Sequence, residues 1–221
     1  MKFFFSLNTL AHAAEVPLKI AMSDVGPFSY SVDGKLHGLN YDILKDISKH
    51  SGIKFSFHLY PHIRLVNSLS NIKPDLAIVF EDSCLKYKSE YEVQTKLYTS
   101  KPTLFLTKSA NTDLSKLRIG LIRGTCVDLS TKYLKHELVM DIADMGQAME
   151  MLKGGRIDGV CGLPLVVKFN LEKVNYPSTL LKSHTDSKIL QAVLCRKREL
   201  PENTKRKLEL AVKEIKIPKI D

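Results

Sequence analysis

The chain has 221 residues, 44% of them hydrophobic, enough for one or two packed cores. No stretch approaches the roughly 20 consecutive apolar residues that a membrane-spanning helix requires, so none is expected. The formal charge is +9, but the basic residues are dense only from Arg196 onward; without interleaved aromatics or a reading helix they read as a solvated helix face, which excludes a nucleic-acid stripe while still drawing anionic solutes or an acidic partner.

The first fourteen residues carry a basic start (Lys2), a short apolar run (Phe3, Phe4, Phe5) and a small-x-small site at Ala11-His12-Ala13, which reads as a cleaved secretory signal over 1–14. The competing reading is a buried N-terminal strand. An exported chain places Cys84, Cys126, Cys161 and Cys195 where disulfides form; four cysteines allow three pairings, and buried free thiols stay equally open.

From Leu18 the order is strand (18–22), turns at Gly26-Pro27 and Asp33-Gly34, then a helix over 41–50 with Tyr41, Leu44 and Ile47 on one face, Asn40 as its cap and Gly52 as its stop. A polar–apolar alternation predicts a strand over 54–60, ended by Pro61. A second helix carries Ile63, Val66, Leu69 and Ile72 on one stripe, and Pro74-Asp75 leads into a buried strand over 76–80. About a hundred residues later the order returns: a strand over 117–122, a helix opened by Gly124-Thr125, a strand over 137–140, a helix over 144–153, and Gly155-Arg156-Ile157-Asp158 leading into a strand at Gly159. Each half is thus a βαβαβ unit, and the fold class is α/β with two similar lobes. Extended segments near 98–103 and 188–196 predict a two-strand hinge, with lobe 1 over 15–98 plus 192–221 and lobe 2 over 99–191.

With these elements placed, the sequence resembles the family 3 extracellular solute-binding proteins, the periplasmic amino-acid-binding type with two lobes. The carrying segments are Gly26-Pro27-Phe28-Ser29-Tyr30, then Asp33-Gly34-Lys35 through Leu44, Leu69 to Ile78 around Asp75, Lys96-Leu97-Tyr98, Arg118 to Thr125, and Gly155 to Asp158.

Ligands of open α/β sheets sit beyond the carboxyl ends of the strands, here the loops 23–30, 60–62, 80–82, 123–126 and 161–164. Gly124-Thr125 at a helix start suits a carboxylate or phosphate, with Arg123 adding charge; a plain capped helix is the other reading. Cys126 beside that helix start is the one candidate for a lowered-pKa thiol. The resemblance implies that Gly124 and Thr125 help hold a ligand carboxylate, that Phe28 and Tyr30 belong to the opening loop at the cleft, and that His62 stacks on a ligand or packs. It also exposes departures. Where amino-acid binders place an arginine after the strand 76–80, this chain has Asp82 to Lys88, so that Lys86 or Lys88 would have to supply charge without a planar fork. The acidic residue expected to receive an α-ammonium is Leu163, the small hydroxyl residues fall at Val79 and Phe80, and an aromatic falls at Val25; Glu81 or Asp82 would have to replace the missing carboxylate.

His58 and His62 have metal-pair spacing, but Pro61 breaks the helix that spacing needs, and no Walker loop exists; no metal, cofactor or nucleic acid is expected. The expectation is a periplasmic monomer that catalyses nothing, captures a small polar or anionic solute between its lobes and serves the membrane component of an ABC-type transporter. The alternatives are an orphan sensing domain signalling to a membrane partner and a thiol-dependent enzyme using Cys126.

Overall fold

The computed structural model describes residues 16–110, 113–123, 125–126, 128, 134–218 and 220. The expected signal segment and most of the helix expected after Thr125 lie outside the described residues.

The first lobe is a five-stranded sheet. Strands β1 (Leu18–Ser23), β4 (Phe55–Tyr60) and β5 (Leu76–Phe80) run parallel, and β12 (Leu190–Lys197) and β6 (Tyr91–Ser100) complete the order β4-β1-β5-β12-β6 with antiparallel pairing. Alternation along each strand sorts side chains between two faces. Ile20, Met22, Leu76, Ile78 and Leu194 join the layer with the helices α1 (Leu39–Ser51) and α7 (Glu202–Glu214). Ala21, Ala77, Val79 and Val193 join the opposite layer with Leu65 of α2 (His62–Asn67), Leu69 of α3 (Leu69–Ile72) and Cys84 of α4 (Glu81–Lys86). A hairpin of β2 (Tyr30–Val32) and β3 (Lys35–His37) sits before α1.

The second lobe repeats the plan with β7 (Thr103–Thr107), β8 (Ile119–Ile122), β9 (Val139–Ile142), β10 (Gly159–Gly162) and β11 (Leu181–His184) in the order β11-β7-β10-β8-β9. Strands β10, β8 and the edge strand β9 are parallel, and β7 and β11 pair antiparallel. Helices α5 (Met145–Lys153) and α6 (Pro164–Lys173) contribute Met145, Met149, Val166 and Val167 to its core. The chain passes from one sheet to the other at residues 101–102 and again at 185–189. No described helix is long and apolar enough to cross a membrane.

The internal repeat extends to hydrogen bonds. Asp75 accepts from the Lys19 amide at 2.7 Å, and its own amide donates to the Lys19 carbonyl. In the second lobe Asp158 accepts from the Arg118 amide at 2.9 Å and donates back from its amide. Each aspartate fastens the start of a neighbouring parallel strand, β1 in one lobe and β8 in the other, to the turn before the central strand, β5 or β10.

Three expectations are corrected. The N-cap of α1 is Gly38, whose φ of 111° is a glycine conformation, and Asn40 lies inside the helix, turned inward to a tyrosine hydroxyl rather than capping. The stripe from Ile63 to Ile72 is two short helices parted at Ser68. The strand expected over 137–140 starts only at Val139, after a 3₁₀ turn at His136–Leu138.

Candidate functional site

Between the lobes lies a cavity of about 350 Å³, at the small end of the ligand-pocket range of roughly 300–1,000 Å³. Its first-lobe wall is organised by two hydrogen-bonded pairs. The Tyr98 hydroxyl, buried on β6, donates to Asn40 Oδ1 at 2.8 Å, and the Tyr98 ring stacks on Phe28 with centroids 5.3 Å apart. Burial pushes that hydroxyl's pKa well up, against the opposing effect of the bond to Asn40. Ser23, at the end of β1, places Oγ 3.1 Å from His62 Nδ1, and the Ser29 hydroxyl ties the loop back to the Ser23 carbonyl. Burial holds the His62 imidazole below its ordinary pKa, so it is the neutral ring that faces the cavity.

The second-lobe wall is built by Ile122 at the end of β8, Met145 at the start of α5, and Leu163 and Val166 at the start of α6. Thr125 lines it with its hydroxyl spent on the Ile122 carbonyl at 2.6 Å. Cys126 is disulfide-bonded to Cys161 of β10, and Cys84 to Cys195; no described cysteine is free. The thiol-enzyme reading is therefore corrected, because a sulfur already bonded to sulfur has no thiolate to attack with. The pairing also resolves the open cysteine question.

Of the predicted site residues, Val25, Phe28, His62 and Phe80 line the cavity from the first lobe, with Asp82 beside them, and Thr125, Cys126 and Leu163 line it from the second. Four do not. Arg123 turns outward to an exposed pair with Asp141 at 3.3 Å, since Ile122 before it takes the inward position. Glu81 pairs with Lys96 at 3.5 Å. Lys86 is exposed, over the Tyr87 ring and within 3.2 Å of Asn67 Oδ1. Tyr30 packs on the opposite lobe: its ring lies 5.2 Å from Phe169 of α6, and Lys173 sits over both rings. Phe169 also presses on Gly26, where any Cβ would collide with its ring, so only glycine admits this approach. Gly124 lies outside the described residues.

Sequence reasoning missed Asn40, Tyr98, Met145, Val166 and Ser187 as lining residues. A signal existed for Tyr98 and Ser187: both sit beside the passages between the sheets, and such passages floor an interlobe cleft.

The comparisons bear on this arrangement. No family model matches the chain. It is 27% identical over 140 residues to the probable histidine-binding protein of Campylobacter jejuni, taking in 61% of this chain. The alignment covers 54% of that protein, so the chain spans about half the length of the curated relative it matches. Among solved structures, the arginine-, lysine-, histidine-binding protein ArtJ of Geobacillus stearothermophilus superposes with a TM-score of 0.70 at 16% identity, covering 90% of this chain and 88% of that one. The fold is that of the two-lobed amino-acid-binding proteins. The BvgS VFT2 domain of Bordetella pertussis shares this binding-protein fold, with a TM-score of 0.69, 17% identity and coverage of 90% and 88%. The resemblance read from the sequence and the binding-protein fold thus agree, and in that fold the cavity above occupies the cleft between the lobes.

Proposed function

We propose that the chain is a periplasmic solute-binding protein that takes a small molecule into the interlobe cleft and presents it to the membrane component of an ABC-type transporter. The observation that carries this reading is the cavity of about 350 Å³ built from strand ends of both sheets. A solute there touches both lobes at once, so its binding energy goes into holding them together. The relative from Campylobacter jejuni and the ArtJ structure support an amino-acid-sized ligand. A sensing role would use the same closure with a different recipient, and the BvgS domain is a precedent for the fold; uptake of the identified solute by cells with and without the protein separates the two.

The test is a thermal-shift screen against amino acids, small carboxylates, polyamines and oligopeptides, followed by calorimetry. One class should stabilise the protein at one equivalent per chain, and Ser83→Trp, which fills the cavity from α4, should abolish the effect. Stabilisation that survives Ser83→Trp, or none from any class, contradicts the reading.

A further inference from the structure

The ends of the central strands meet the cleft in the same way in both lobes. Phe80 ends β5 and is the N-cap of α4; Leu163 follows β10 and is the N-cap of α6. Neither side chain caps its helix, and both line the cavity, one from each lobe. An N-cap favours Ser, Thr, Asp or Asn, and an apolar residue there forgoes roughly a fivefold preference in helix stability. Among the described α-helices only these two begin on a large apolar side chain. Helix α5 uses the ordinary solution: Asp144 accepts from the Gln147 amide at 2.9 Å, and Asp144 is not a lining residue. At the starts of α4 and α6 the capping position is instead given to an apolar side chain on the cavity wall.

Charge is likewise absent from the buried part of the wall among the described residues. The charged residues lining the cavity, among those described, are Asp82, Asp128 and Lys188, and all three are exposed. Deeper in, Phe28, Ile78, Tyr98 and Val166 are buried, and the polar groups beside them are the uncharged Ser23, Asn40 and His62. A cationic side chain placed there would lose hydration among uncharged groups, the lining carboxylates of Asp82 and Asp128 standing at exposed positions.

We infer that the solute's body is apolar, a branched aliphatic or aromatic group held between Phe80 and Leu163, with its polar end toward the Ser23–His62 pair. This rests on the solute-binding reading above and departs from the polar or anionic solute expected from the sequence.

The test is calorimetric titration of the purified protein with leucine, phenylalanine, phenylacetate, arginine and glutamate. The three apolar-bodied probes should bind at least tenfold tighter than arginine and glutamate, with affinity rising about fourfold per buried methylene. Leu163→Asp should weaken the apolar probes by tenfold or more; because aspartate is a favoured N-cap, the variant should melt no lower than the parent. Phe80→Ser serves as a second variant with the same expected loss. Tightest binding to arginine or glutamate, or unchanged affinity for the apolar probes in both variants, overturns the inference and leaves the solute-binding reading standing. Binding of none of the five overturns the inference, and the failure of the wider solute screen is what would overturn the function itself.

Discussion

His62 sits half-buried against Ser23 with its imidazole held neutral by burial, and that position carries a pH signature. Its folded pKa lies below the ordinary 6.5, so the unfolded chain takes up the proton first as pH falls. The contribution to stability is complete above pH 6.5 and is lost as pH falls through the depressed folded value. Denaturant melts from pH 8 downward should show this decline, and His62→Gln should flatten that part of the profile; an unchanged profile in the variant contradicts the assignment. Legibility at this scale was mixed. Val25, Phe28, Phe80 and Leu163 were readable because they stand at strand ends, and strand ends are set by alternation. Arg123 was misread because a strand's period of two decides which neighbour faces the cleft, and Ile122 takes that place, leaving Arg123 to Asp141. The bond between Asn40 and Tyr98 joins residues 58 apart, and nothing local announces it.

Helix α6 forms one side of the cleft and also closes its mouth. Phe169, Lys173, Tyr30 and Gly26 meet across the lobes in an aromatic pair topped by an ammonium. Such a pair and its cation–π contact are worth about 1–2 kcal/mol together, and because they span the two lobes, any opening of the cleft would break them. Phe169→Ala should therefore weaken solute binding about tenfold, through faster release, while leaving the melting of each lobe's sheet little changed; stopped-flow release of bound solute measures it. Release at the parent rate would show that the contact does not hold the closed form. Tyr30 was expected at the ligand and is found here because the β2–β3 hairpin lies at the cleft mouth. Other departures at this scale share a cause: Ser68 splits a continuous apolar stripe, and Gly38 is the N-cap of α1, two residues before Asn40, so periodicity located both helices but not their ends.

The whole molecule is two sheets of one plan joined by two passages, and the repeat was legible because the same strand–helix order and the same aspartate turn recur in both halves. What the sequence left open was long-range: the disulfides close separations of 111 and 35 residues, and local pattern does not choose partners over such distances. Their placement matters for motion. Cys84–Cys195 joins α4 to β12 within the first lobe, and Cys126–Cys161 ties the Thr125 loop to β10 within the second. Each bond stiffens one lobe and neither bridges the cleft, which leaves the passages at 101–102 and 185–189 to carry any relative movement. The central claim, closure of two stiff lobes on a solute, is tested most directly by small-angle scattering with and without a saturating solute found in the screen. The radius of gyration should contract when the solute is bound; superimposable scattering curves at demonstrated saturation would contradict the account.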